Sequence, residues 1–440
     1  MSQSRDVPLA NVESSTVTDS IDVAAGAALQ ALWILHTVDA PDAKLLEKSR
    51  RAFESLMQRQ DVGFTKLAAR ENLIQAAEAR AKEIARVSNH IVVVGMGGSS
   101  LGTRALLAAV PRPQGRGAVS FLDNIDADRF WTWLKSRNDI ADIHWVLTSK
   151  SGNTVEILAL ADLIDQHLRQ SGHRRLGTVA TVISELKESP LTNWARKENV
   201  PVLEVPIDVG GRFSVLTAVG LFPAAFAGLR IERMTEGTAW ALAQGDLVAQ
   251  MAAHSLGSFL RDEWVTMLWS YADSLREFGL WWQQLWAESL AKRTTRNGEP
   301  APRVSTPVPG VGTCDQHSML QQIIEGAPDK FVWFQRIAKC EEAGPKLEKT
   351  LFEGQDFLIG KGVGELFKAE AEATEQAMRE AKVHTIGLHG VELDERSMAA
   401  LFMIWQLTVA TMGEVLGVNA FNQPGVERGK VLARSALSRS

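Results

Sequence analysis

Residues 90–103 read His-Ile-Val-Val-Val-Gly-Met-Gly-Gly-Ser-Ser-Leu-Gly-Thr. The unbroken apolar run Ile91 to Val94 suits a strand covered on both faces, the environment of a parallel sheet. It ends in Gly95-Met96-Gly97-Gly98-Ser99-Ser100, and a helix-compatible pattern starts at Leu101. Strand, glycine turn and helix start together aim bare backbone N–H groups and the positive end of a helix dipole at one place. Glycine lets that backbone approach a ligand closely, and Ser99 and Ser100 add hydroxyl donors. The segment predicts an anion site in an α/β fold. A tight turn that binds nothing is the competing reading.

The rest of the chain repeats the strand-then-helix pattern. Strands are expected at Ile91–Val94, Val119–Leu122, Ile143–Leu147, Thr178–Ile183 and Val202–Val205, with helices between most of them, as at Asp126–Arg137 and Thr154–Arg169. Such alternation implies right-handed βαβ units and a parallel sheet with helices on both faces. Helical spacing at Lys44–Gln60 and Thr65–Arg86 predicts a helical lead-in, preceded by a polar, loose Met1–Asp22. Strands stop around Met234–His254. A second series follows: strands at Trp264–Trp269, Phe331–Ile337 and Thr385–Leu388, and helices at Asp273–Lys292, Glu365–Ala381 and Glu395–Leu416. Arg293–Gly312, rich in Pro, Gly and Arg, reads as a long loop and a candidate functional segment. The expected organisation is a lead-in (1–88), a first α/β/α sandwich (89–232), a helical connection (233–262) and a second α/β/α sandwich with C-terminal helices (263–440).

Three kinds of loop bind anions in this manner. A nucleotide P-loop needs a lysine after its last glycine, and none follows here. The dinucleotide fingerprint needs a third glycine where Ser100 stands, although Asp123, ending the next strand, is placed to hold a ribose hydroxyl; that reading stays open. A second segment favours a phosphate monoester. Strand Ile143–Leu147 runs into Thr148-Ser149-Lys150-Ser151-Gly152-Asn153-Thr154 and then a helix, giving a second hydroxyl-rich helix start in the same sheet. One such loop is an ordinary helix cap; two make a site. Each helix end contributes about 0.3–1 kcal/mol toward an anion, and charge-assisted hydrogen bonds about 1.5–3 kcal/mol each. A net charge of −5 and pI near 6.1 argue against a nucleic-acid partner. With only Cys314 and Cys340 there is no disulfide framework or Cys-rich metal site, as expected for a reducing cytoplasm. No signal-peptide pattern opens the chain, and apolar runs such as Ala24–Leu35 fall short of a membrane span.

With these residues in view, the chain resembles the sugar isomerase (SIS) domain proteins, and among them the glucose-6-phosphate isomerase family. Gly95–Gly102 (GMGGSSLG) and Ser149–Glu156 (SKSGNTVE) resemble its two phosphate-side motifs. Val209–Leu221 (VGGRFSVLTAVGL), Trp281–Lys292 (WWQQLWAESLAK), Gly312–Gln322 (GTCDQHSMLQQ) and Phe421–Lys430 (FNQPGVERGK) match further motifs in the family's order. Ser100 stands where many members have Asp, and Ala291 where glycine is usual.

The resemblance implies interconversion of glucose 6-phosphate and fructose 6-phosphate through ring opening and a cis-enediolate, with no cofactor and no metal. It makes Glu288 the base. Trp281, Trp282, Leu285 and Trp286 can bury a face of its helix, and a carboxylate beside apolar surface gains basicity by desolvation. It makes Arg212, after Gly210 and Gly211, the stabiliser of the enediolate oxygen, a role worth about 2.7–4 kcal/mol in such sites. His317 becomes the ring-opening acid, contributed across a homodimer interface, and Lys430 a partner at the ring oxygen. Gly98, Ser99, Ser149, Ser151, Thr154, Gly211 and Gln423 become the phosphate and sugar contacts. The same features fit a dual-specificity isomerase that also takes mannose 6-phosphate, or a non-catalytic sugar-phosphate-binding module. The module would not need Glu288, Arg212 and Lys430 together.

Overall fold

A computed structural model describes residues 31–438 except Asn138 and His173; the expected loose N-terminus lies outside the described residues. Among the described residues ten strands form two five-stranded sheets. They are β1 (Trp33–His36), β2 (His90–Val94), β3 (Ala118–Leu122), β4 (Ile143–Thr148), β5 (Ala180–Ser184), β6 (Val202–Glu204), β7 (Val265–Tyr271), β8 (Thr306–Val311), β9 (Lys330–Ile337) and β10 (His384–Gly390). The first sheet has the order β3-β2-β4-β5-β6 and is parallel throughout. The second has the order β1-β10-β9-β7-β8, parallel except for β1. Central strands β4 and β9 are buried along their whole length, as expected for strands covered on both faces; each has an apolar centre, Trp145–Leu147 and Phe331–Phe334, flanked by polar residues that are buried too.

In the first sheet β2 lies between β3 and β4, so the chain leaves β2 in one direction and returns on the other side. Loops at the carboxyl ends of strands around such a reversal open a crevice. The loops after β2 and β4 are the glycine segment and Thr148–Thr154.

Two strands escape the sequence reading. β8 occupies part of the expected loop Arg293–Gly312. Proline normally excludes a strand because it lacks a donor, but β8 is an edge. Thr306 N donates to Trp264 O at 2.8 Å and Gly312 N to Ser270 O at 3.1 Å, so even-numbered amides face β7. Pro307 and Pro309 therefore fall on the outward-facing register, where no ladder bond is lost. β1 gives the lead-in a strand as well as helices, pairing antiparallel with β10 and burying Trp33. The expected helix Thr65–Arg86 is divided into a 3-10 segment, Phe64–Ala69, and a helix, Glu71–Ile84.

Among the described residues one helix, Glu395–Val415, is long and apolar enough to cross a membrane by length and composition alone. It is packed within the protein, most of it buried, against helices Ile231–Leu242, Gly245–Leu260 and Arg276–Leu290. Trp405 on this helix meets Trp282 with ring centroids 5.7 Å apart and Trp333 at 5.3 Å.

Candidate active site

The helix Arg276–Leu290 is the hub. Trp281, Trp282, Leu285, Trp286 and Ser289 recur at helical spacing and are fully buried, fixing its rotation about its axis. That rotation turns Gln284 and Glu288, four residues apart, toward the glycine segment. The apolar face expected to desolvate Glu288 thus points elsewhere. Its side chain is 30% exposed, and each carboxylate oxygen accepts a hydrogen bond. Arg212 Nη1 donates to Oε2 at 3.1 Å and Gln284 Nε2 to Oε1 at 3.1 Å.

Arg212 is the most constrained group in the site, its side chain only 2% exposed. Its Nε donates to Ser289 Oγ at 2.7 Å, Nη1 also to Gln423 Oε1 at 3.1 Å, and Nη2 to the carbonyls of Asn422, at 3.2 Å, and Ala420. Burial pulls its pKa down to about 10 while Glu288 opposes the shift, so it stays a cation at neutral pH. Every donor nitrogen of this fork has an acceptor, which holds the plane of the guanidinium.

Close approach is what requires glycine at Gly98. A Cβ there would lie 2.5 Å from Gly211 C, 2.6 Å from Gly211 O and 2.8 Å from Arg212 N. Backbone meets backbone, so the glycine loop and the turn carrying Arg212 share one frame. Gly97 takes φ +54°, and a Cβ on it would meet Gln284 Nε2 at 3.0 Å. The chain Gly97, Gln284, Glu288, Arg212, Gln423 is therefore continuous. Ser99 is half-buried, while Ser100 is buried and points to Gly97 O.

The second loop is organised from within. Ser149, 2% exposed, shares a hydrogen bond with Thr154 Oγ1 at 2.8 Å and accepts from Gly152 N at 3.2 Å. Ser151 is exposed and Thr154 half-buried at the start of helix Val155–Gln170, whose first amides have no side-chain cap from Thr154. The loop thus keeps a helix N-terminus open at the crevice. Asp123, the acid that kept a dinucleotide in view, is engaged elsewhere: Arg104 Nη1 donates to its Oδ2 at 2.6 Å, while Nε and Nη2 of the same guanidinium hold Glu277.

Residues 65–440 match the family model described as phosphoglucose isomerase. The chain belongs to the phosphoglucose isomerase family. A probable glucose-6-phosphate isomerase of Methanococcus maripaludis is 31% identical over 370 residues, covering 81% of each chain. A glucose-6-phosphate isomerase of Thermus thermophilus is 35% identical over 363 residues, covering 79% of this chain and 83% of its own. Among solved structures, a hypothetical protein from Thermus thermophilus matches with TM-score 0.80 and 31% identity, covering 90% of this chain and 95% of its own.

The residues that the family resemblance singled out divide into two groups. Gly98, Gly211, Arg212, Glu288 and Gln423 meet in one cluster, with Ser99 on the same glycine loop and Ser149, Ser151 and Thr154 on the neighbouring one. His317 and Lys430 stand apart from it. His317 is exposed in the turn Cys314–His317, after β8. Lys430 lies on the exposed helix Glu427–Leu437 with its ammonium 2.8 Å from Glu427 Oε1. Ala291, where glycine is usual, takes φ −73°, which any residue adopts. Two members of the cluster were missed. Gln284 lies one helical turn before Glu288, a spacing that pointed to it; Lys292 stands past the end of that helix, and no spacing rule pointed to it. Lys292 donates to Glu288 O and Asn422 O, each at 2.5 Å. Burial and Arg212 lower its pKa to about 8 against the pull of Glu288.

Proposed function

We propose that this protein interconverts glucose 6-phosphate and fructose 6-phosphate, with Glu288 moving the proton between C2 and C1. The observation that carries the assignment of residues is the Arg212–Glu288 pair, joined to Gln423 and backed through Gly98 onto the glycine loop. The substrate phosphate is held by the loops after β2 and β4, where open helix starts and the hydroxyls of Ser99, Ser151 and Thr154 favour an anion. Binding at that end is spent on orienting the reacting carbons. Glu288 removes the C2 proton, Arg212 offsets the charge that develops on the enediolate oxygen, and the proton returns at C1.

In this reading ring opening falls to His317 and Lys430. His317 acts in the site of a second copy, which makes the working form a homodimer. Lys430 acts once helix Glu427–Leu437 has brought it to the ring oxygen. The cytoplasm is the proposed compartment. Incubating the purified protein with fructose 6-phosphate and following glucose 6-phosphate in a coupled assay tests the reaction; folded protein with no turnover above background sinks it. Rates on mannose 6-phosphate in parallel decide whether the pocket accepts both epimers at C2.

A further inference from the structure

Lys292 is the one ammonium in the cluster, and its geometry differs from that of a substrate-binding lysine. It stands two residues beyond helix Arg276–Leu290 and folds back so that Nζ caps the Glu288 carbonyl, one of the four that a helix end leaves without partners. The same Nζ holds the carbonyl of Asn422, which already accepts from Arg212 Nη2. Ala420 and Asn422 are thus fastened to two cations through main-chain oxygens, and the next residue, Gln423, presents its side-chain oxygen to Arg212. Placing Lys292 near Arg212 is electrostatically unfavourable, with Glu288 the carboxylate that offsets both. A lysine with only a solubilising role has no reason to occupy that position.

We infer that Lys292 is a positioning residue that ties the last turn of the Glu288 helix to the Ala420–Gln423 segment, holding Glu288 and Gln423 on opposite sides of Arg212. The inference rests on Glu288 and Arg212 being the reacting pair. Lys292 acts on the end of the site where carbon protons move, whereas the phosphate loops belong to the first sheet. Its loss therefore falls on kcat far more than on KM, since Gln423 is the one proposed substrate contact on the segment that it holds.

The test uses Lys292→Met, which keeps the aliphatic stem, and Lys292→Arg, which keeps a cation with several donors. With fructose 6-phosphate, Lys292→Met lowers kcat about 10- to 100-fold, the size of effect that a small misplacement of reacting groups produces, with KM within about threefold. Lys292→Arg restores kcat to within about fivefold of the parent. Amide hydrogen exchange gives a readout that needs no activity. Peptides covering 418–424 exchange about tenfold faster in Lys292→Met and at the parental rate in Lys292→Arg. Unchanged exchange in Lys292→Met overturns the inference whatever the kinetics. So does a kcat within twofold of the parent, or equal impairment of both variants. Should Lys292→Met not fold, Lys292→Gln replaces it with the same criteria. Failure of the underlying reading looks different: the parent protein itself does not turn over, while the exchange difference persists.

Discussion

The sharpest perturbation is Glu288→Gln, because the structure separates what it does to stability from what it does to chemistry. The side chain keeps its shape, and Arg212 Nη1 can still donate to the amide oxygen. Gln284 Oε1 is buried and has no hydrogen-bond partner, so rotating the Gln284 amide lets it accept from the new NH2 group. The hydrogen-bond geometry survives. What is lost is the negative charge beside a buried cation, since Glu288 is the one carboxylate bonded to Arg212 among the described residues. Breaking a fully buried pair costs about 3–5 kcal/mol; with Glu288 30% exposed, about 1–3 kcal/mol is the fitting range. Against a typical stability of about 5–15 kcal/mol the variant remains almost entirely folded. Removing a general base costs about 10²- to 10⁴-fold in rate, or roughly 3–5.5 kcal/mol of barrier, and no loss of folded protein on this scale accounts for it. The assay is kcat for fructose 6-phosphate, exchange of the C2 proton with deuterated solvent followed by NMR, and a thermal melt. A folded variant that still exchanges the C2 proton at more than about a tenth of the parental rate refutes Glu288 as the base.

Three further outcomes follow from the same geometry. Gly98→Ala forces backbone against backbone at Gly211 and Arg212 and should lower kcat/KM by at least about 100-fold; activity near parental would show that the glycine loop and the Arg212 turn move independently. If His317 serves a second copy, mixing and reassembling inactive His317→Ala and Glu288→Gln chains should restore up to about a quarter of parental activity, as one intact site forms per mixed dimer; no recovery in verified mixed dimers argues that His317 acts within its own chain. His144 is buried on β4, hydrogen-bonded to Thr181, and its pKa is depressed to about 3 by burial with Arg80 adding to it. Its folded pKa lies below the ordinary 6.5, so the unfolded chain takes up the proton first and stability falls as pH drops below that value. Urea midpoints at pH 7 and pH 5 should show His144→Gln losing up to about 2 kcal/mol less than the parent over that interval; equal losses would locate acid sensitivity elsewhere.

What could be read from the residues is what depends on neighbours in sequence. The parallel strands, the two open helix starts and the helical face of Trp281, Trp282, Leu285 and Trp286 are local patterns, and they appear where the spacing places them. β8 was hidden because Pro307 and Pro309 forbid a strand everywhere except an edge, and edge status is a property of the sheet. β1 was hidden because four residues carry too little pattern. The environment of Glu288 was misread for a related reason. Burial of the tryptophans was foreseeable, but a helix has more than one face, and only tertiary packing decides which face the carboxylate shares.

The register between the two sheets has no motif at all, yet the chemistry depends on it. The loops proposed to hold the phosphate come from the first sheet, while Glu288 rides on a helix whose strand neighbours lie in the second. Relative displacement of about an ångström between them is enough to cost a reaction of this kind two orders of magnitude. Three contacts oppose such displacement. Gly97 faces that helix directly, where a Cβ would meet Gln284 Nε2 at 3.0 Å. Arg104, on the helix that follows the glycine loop, forks onto Glu277 at the start of the Glu288 helix, with Nε to Oε2 at 3.1 Å and Nη2 to Oε1 at 2.8 Å, while Nη1 holds Asp123 at the end of β3. Trp281, one turn further on, closes against Gly102 of the glycine segment, where a Cβ would meet its Cδ1 at 3.3 Å. The glycine loop thus does two jobs. In the proposed site its open amides face the phosphate, and its lack of side chains lets the first sheet lie against the Glu288 helix. A substitution that preserved every donor in the loop but added one carbon facing Gln284, at Gly97, would separate those two jobs.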